Sequence, residues 1–231
     1  MPLKSYQEKS MKLNDMNIVI TGANGAVAAV LTDYFSSRAA FVAGTIRQLA
    51  ETVVNKNNVA IIEMDPLDHH SIDNAINWIN SEAGDIHAWI NVIGGFTMGN
   101  HVEEGRDDWN YMYNTNFMTT LNCCQQILPI MKLAGWGRII NMGAQSAIRG
   151  MPLSGPYCTS KAAVHALTKI IALENGEKIT CNALVPGIID TLSNRKQMPG
   201  ADHGRWISPS RIAVKIEELL LSDKTGELIS L

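Results

Sequence analysis

Tyr157 and Lys161, separated by Cys158-Thr159-Ser160, are the residues of this 231-residue sequence whose types and spacing promise proton chemistry. A free phenol ionises near pH 10, too high for ready exchange at neutral pH. On a helix, residues four apart share a face, so an ammonium group at 161 would lie beside the phenol at 157. A fixed cation there favours phenolate and brings a general acid/base toward its working range. The chemistry therefore asks for a helix. The sequence supplies one, with Pro156 in its first turn, Ala162-Ala163-Val164-His165-Ala166-Leu167 downstream, and an expected end near Asn175. Taken alone, the pair also fits an amphipathic helix with an incidental tyrosine and lysine.

The elements around that helix read as alternating strands and helices. Asn17–Ile20 predicts a buried strand running into Thr21-Gly22-Ala23-Asn24-Gly25-Ala26-Val27-Ala28, a small-residue loop that opens a helix to about Ser37. Such a loop offers backbone N–H groups to a pyrophosphate. Further strands are expected at 40–45, 59–64, 87–93, 138–142, 179–185 and 227–231. Helices are expected at 69–83, 106–134 and 208–221. Continuous apolar strands alternating with helices predict an α/β fold: one Rossmann-type, doubly wound parallel sheet of about seven strands, with helices on both faces. Residues 1–15 read as a polar tail and 16–231 as the domain, in which Pro186–Trp206 is a loop rich in Pro, Gly and polar residues. In such a sheet, loops at the carboxyl ends of the strands converge on one crevice. Those at 22–28, 47, 65, 91–95, 143–156 and 186–206 all fall there.

Composition narrows the partners. A formal charge of -3 offers no polyanion-binding surface, so nucleic acid is not expected. No apolar run is long enough to span a bilayer, and residues 1–15 lack a signal-peptide core. The four cysteines form no Cys-x-x-Cys pair and the six histidines no ligand pattern. Reduced thiols, a cytoplasmic location and no metal are the resulting expectations. Gly44-Thr45-Ile46-Arg47 places an arginine, not a carboxylate, after the second strand. That suits a 2′-phosphate, so NADP is expected ahead of NAD.

With those residues in view, the chain from about 16 to 231 resembles the short-chain dehydrogenase/reductase family. Thr21-Gly22-x-x-x-Ala26-x-Ala28 is similar to its Thr-Gly-x-x-x-Gly-x-Gly cofactor loop, and Asp65 to its adenine-contacting acid. Asn91-Val92-Ile93-Gly94 stands where the family has Asn-Asn-Ala-Gly. Asn116 matches its helix asparagine, Tyr157 and Lys161 its catalytic pair, and Pro186-Gly187-Ile188-Ile189-Asp190-Thr191 its Pro-Gly-x-x-x-Thr element. The resemblance implies cofactor contacts at Gly22, Asn24, Gly25, Ala26, Val27, Asp65, Asn91, Ile93, Gly94, Tyr157, Lys161, Pro186, Gly187, Ile189 and Thr191. It also implies a homodimer or homotetramer.

Three departures accompany it. Two loop glycines are Ala26 and Ala28, which requires ordinary helical geometry there. Ala144 stands thirteen residues before the tyrosine, where the family usually has serine; Ser146, two positions off, is the weaker candidate donor. Little sequence follows the last expected strand, so little C-terminal substrate cover is expected. The dihydropteridine reductase branch resembles this chain at Gly143-Ala144-Gln145 and again along Asp190–Trp206, which implies a substrate lid at about 187–206. The resemblance implies that Tyr157 carries the proton, Lys161 lowers the tyrosine pKa and holds the ribose, and Asn116 anchors a water. The expected reaction is hydride transfer to or from a small substrate, such as a quinonoid dihydropterin. A small carbonyl or alcohol, or a non-catalytic redox sensor on the same fold, remain alternatives.

Overall fold

The computed structural model describes residues 11–49, 54–56, 58–99, 102–103 and 106–231. Residues 1–10 of the expected tail lie outside that set. Its end is a 3-10 turn, Leu13–Asp15, with Leu13 and Met16 buried.

The strands are β1 (Asn17–Thr21), β2 (Phe41–Ile46), β3 (Val54–Lys56), β4 (Val59–Glu63), β5 (Ala88–Asn91), β6 (Gly137–Met142), β7 (Ile179–Val185) and β8 (Leu228–Ser230). They form one sheet in the order β3-β4-β2-β1-β5-β6-β7-β8. The seven from β4 to β8 are parallel, and β3 adds an antiparallel edge hairpin that the sequence reading left out. Strand order reverses between β1 and β5, so the crevice at their carboxyl ends is the switch point.

The helices are α1 (Ala26–Ser36), α2 (His69–Ala83), α3 (Arg106–Met112), α4 (Thr119–Ala134), α5 (Ser146–Arg149), α6 (Gly155–Asn175), α7 (Leu192–Gln197) and α8 (Pro209–Leu220). Successive strand residues point to opposite faces, so each strand feeds two cores. Ile18, Ile20, Val42 and Leu184 pack with Leu31 and Phe35 of α1 and Ile212 and Ile216 of α8. Val19, Ala43, Trp89 and Ile139 pack with Ile72 and Ile76 of α2, Ile127 of α4 and Ile171 of α6. Capping is local: Asp68 accepts the N–H of His70 at the start of α2, and Gly176 ends α6 at φ 67°.

The stretch expected as a helix over 106–134 is helical throughout, but its register changes part-way. A π turn, Tyr113–Met118, separates α3 from α4. Beneath the crevice a buried polar chain ties three elements together. Trp89 Nε1 donates to Asn91 Oδ1, Asn91 Nδ2 to Asn141 Oδ1, and Asn141 Nδ2 to Thr168 Oγ1, each at 2.9 Å.

Candidate active site

Tyr157 lies in the first turn of α6, with Lys161 and His165 following at one-turn intervals on the same face. Lys161 is buried, and its Nζ donates to the carbonyl of Met142, the last residue of β6, at 2.7 Å. His165 is also buried; its Nε2 accepts the N–H of Ala144 at 3.2 Å. Two turns of α6 thus grip Met142–Ala144 from one side, while Gly143 donates to the Leu184 carbonyl at 2.7 Å from the other. Glycine at 143 makes room for this contact, because a Cβ there would lie 2.2 Å from His165 Nε2 and displace the imidazole. An accepting Nε2 carries no proton, so this imidazole is neutral with its hydrogen on Nδ1. Burial, and then the charges of Lys161 and Lys169, lower its pKa and favour that form. The sequence reading passed over His165, although its spacing from Lys161 was the available signal.

Asn116 comes from the π turn, a geometry frequently found at functional sites because the extra residue redirects a side chain. Its Oδ1 accepts the N–H of Gly95 at 2.8 Å, while its Nδ2 meets the Gly95 carbonyl at 3.2 Å and Ser160 Oγ at 3.0 Å. A Cβ on Gly94 would approach Asn116 Oδ1 to 2.9 Å and Lys161 Nζ to 3.1 Å. Gly94 therefore leaves room for both the Asn116 and the Lys161 side chains.

Burial dominates the electrostatics. It pushes the Tyr157 phenol up to about 12, with Cys158 adding a smaller push, and brings the Lys161 ammonium down to about 8. The expected lowering of the tyrosine by the lysine is therefore absent in the chain by itself. Desolvation penalises phenolate more than the lysine, committed to the Met142 carbonyl, favours it. Ala144 is buried and offers a methyl group in place of a hydroxyl. Ser146 opens α5, and its hydroxyl makes no hydrogen bond to Tyr157 among the described residues.

The loop after β1 has the features of a dinucleotide cradle. Thr21 Oγ1 accepts the N–H groups of Val92 at 2.9 Å and Ile93 at 3.3 Å, binding the tips of β1 and β5 together. Gly22 sits at φ 74°, and a Cβ on it would stand 2.8 Å from Ile93 Cγ1. Gly25 precedes α1 without a side-chain cap, so the N–H groups of Ala26 and Val27 are bare at a helix N-terminus. Asn24, Gly25 and Ala26 are exposed there, and Ala26 and Ala28 sit in ordinary helical geometry. These residues fit a pyrophosphate.

The other cofactor candidates divide. Asn91 faces the interior, because it shares the Trp89 side of β5, and its side chain is consumed by the buried polar chain. Only its backbone remains toward the crevice. The Pro186 carbonyl accepts the N–H of Gln145 at 3.0 Å, and Gly187 packs beside the Gln145 side chain. The Ile189 carbonyl accepts from Asn194 Nδ2 at 2.8 Å, and Thr191 Oγ1 caps α7 by accepting the Asn194 N–H at 3.2 Å. That cap leaves the Thr191 hydroxyl proton free to donate. The expected lid contains α7 and a 3-10 turn, His203–Arg205, stiffened by a two-pronged Asp190–Arg195 ion pair at 2.5 and 2.7 Å. At the far end, Arg47 is exposed and its Nε lies 3.7 Å from Asp65 Oδ1, which also accepts the N–H of Leu67 at 3.0 Å.

A family model for short chain dehydrogenases matches residues 16–201. The chain belongs to the short-chain dehydrogenase family. It is 31% identical over 158 residues to a 3-ketodihydrosphingosine reductase of Bacteroides thetaiotaomicron, covering 68% of this chain and 57% of that protein. It is 30% identical over 185 residues to a 7alpha-hydroxysteroid dehydrogenase of Bacteroides fragilis, covering 75% of this chain and 71% of that one. Among solved structures, ElxO with NADP bound superposes with a TM-score of 0.84 at 25% identity, covering 95% of this chain and 97% of that chain. Family membership accounts for the order of the parallel strands and the switch point between β1 and β5. Among the described residues, no helix is long and apolar enough to cross a membrane.

Proposed function

We propose that the protein is an NAD(P)-dependent oxidoreductase that moves a hydride between nicotinamide and a small substrate, with Tyr157 handling the proton. The supporting observation is the buried face of α6, where Lys161 bonds to the tip of β6 beside Asn116 and the glycine pair after β5. A bound nicotinamide dinucleotide supplies or accepts the hydride. Gly22, Asn24, Gly25, Ala26 and Val27 hold its phosphates, and Pro186, Gly187, Ile189 and Thr191 border it on the lid side. In reduction, Tyr157 keeps its proton until charge develops on the substrate, which suits a phenol raised to about 12. Lys161 holds the ribose, and Asn116 anchors the water for proton return. Arg47 favours NADP over NAD through its reach toward a 2′-phosphate.

Ala144 bears on the substrate. With no hydroxyl there to polarise it, the substrate must already be electrophilic. A quinonoid dihydropterin meets that need, as does a carbonyl activated by an electron-withdrawing neighbour. The protein works as a homodimer or homotetramer, supported by the exposed Leu133 of α4 and Ile170 and Leu173 of α6. Its free cysteines fit a reducing compartment such as the cytoplasm. The experiment is NADPH and NADH oxidation with quinonoid dihydropterin, in wild type and Tyr157→Phe. Tyrosine-dependent turnover supports the reading. Bound cofactor with no turnover, there and on a panel of activated carbonyls, would replace it with the sensor alternative.

A further inference from the structure

Phe96 follows the glycine pair after β5, and its ring meets Tyr157 edge-on, with centroids 4.9 Å apart and planes at 83°. The contact consumes one side of the phenylalanine; half of its surface stays exposed. An exposed aromatic ring fixed against the proton-carrying residue is a wall for whatever reacts there.

The wall is braced. The N–H of Gly99, three residues beyond Phe96, donates to the carbonyl of Leu153 at 2.9 Å. Leu153 is the one residue other than glycine with positive φ among the described residues, at 60°. A leucine is held in that region only when its surroundings insist, and such outliers cluster at ligand sites. Val102 and Trp109 complete the brace by packing where a Cβ on Gly155 would stand, at 3.6 and 3.3 Å. Phe96, Met98 and Leu153 are exposed along this corner, and Ile188 and Leu192 are exposed on the segment after β7. The lid charges Asp190 and Arg195 are turned onto each other.

We propose that Phe96 is the specificity-determining residue, and that the substrate is an uncharged carbonyl compound with an apolar planar ring beside the reducible carbon. The ring lies on the exposed half of Phe96, with Leu153 at its edge. This inference rests on the reductase reading above and adds the substrate class. Reduction adds hydride to the carbonyl carbon and the Tyr157 proton to its oxygen, giving the alcohol.

The test compares ethyl benzoylformate with ethyl pyruvate, two uncharged, activated keto esters that differ by phenyl for methyl. Wild type, Phe96→Ala and Phe96→Leu are assayed with NADPH. The expected wild-type kcat/KM favours the phenyl ester by about tenfold or more. Phe96→Ala should remove most of that preference, and Phe96→Leu should keep less than half. A wild-type ratio near one, or a ratio unchanged in both variants, overturns the proposal. Calorimetric binding of both esters to the NADP-loaded protein separates the two readings. Tighter binding of the phenyl ester, lost in Phe96→Ala, supports the wall even where neither ester turns over, a result that would sink only the reductase reading. Equal binding of the two esters overturns the wall whatever the rates.

Discussion

The two ends of the crevice are built differently. At the Tyr157 end, Lys161, Asn116 and His165 are buried, and each is fixed by a hydrogen bond to backbone at 2.7 to 3.2 Å. At the Arg47 end, both partners of the Arg47–Asp65 pair are substantially exposed and 3.7 Å apart. Exposed pairs of that kind contribute about 0–1 kcal/mol, whereas an unpaired buried group costs about 1–3 kcal/mol. On the function proposed above, the first end would handle a proton, which calls for close placement of the reacting groups, and the second would read a cofactor phosphate, which needs only a charge within reach.

That contrast can be broken or sharpened by substitution, beginning at the Tyr157 end. Tyr157→Phe should lower kcat/KM by about 10³-fold with cofactor binding within a few-fold of wild type, checked by steady-state rates and fluorescence titration. Lys161→Met should cost about 10²-fold in activity but stabilise the fold at pH 7. The folded Lys161 pKa, about 8, lies below the ordinary value of 10.5, so the native state binds fewer protons between those limits. Wild-type stability should therefore rise as pH climbs from 8 to 10.5. Below 8 the full penalty applies, and the methionine removes it. After allowance for the lost bond to Met142, the gain is about 2 kcal/mol, read from urea unfolding at pH 7 and shrinking toward pH 10.

His165→Leu tests whether the α6 grip helps to hold that end. It strands the Ala144 N–H, so unfolding stability should fall by about 1–3 kcal/mol. At the Arg47 end the effects are smaller and selective. Arg47→Ala should raise the Kd for NADPH about tenfold and leave that for NADH within about twofold. Equal losses for the two cofactors would show that Arg47 does not read the 2′-phosphate.

Legibility followed the same division. Long apolar strands and the Tyr157 helix were readable because their patterns are local and repeat over many residues. β3 was not, since Val54-Asn55-Lys56 is too short to carry a period and is defined by its partner strand. The π turn escaped because Tyr113–Met118 carries no residue that breaks a helix and differs from its flanks in hydrogen-bond register. At the site, residue identities were legible and their environments were not. Tyr157 and Lys161 announce themselves by spacing, but whether charge or burial sets their pKa depends on what covers them. Asn91 was read for its neighbours in the chain. Its side chain is spent inside because strand alternation puts it on the Trp89 side.

The π turn also constrains how the chain can change length. It fits one residue more into a turn than an α-helix does, and each residue carries roughly 100° of rotation. A chain shortened by one residue between Met112 and Thr119 would run as unbroken helix from α3 into α4, with each flank still able to keep its own packing. What such a deletion would forfeit is the aim of Asn116 at Gly95.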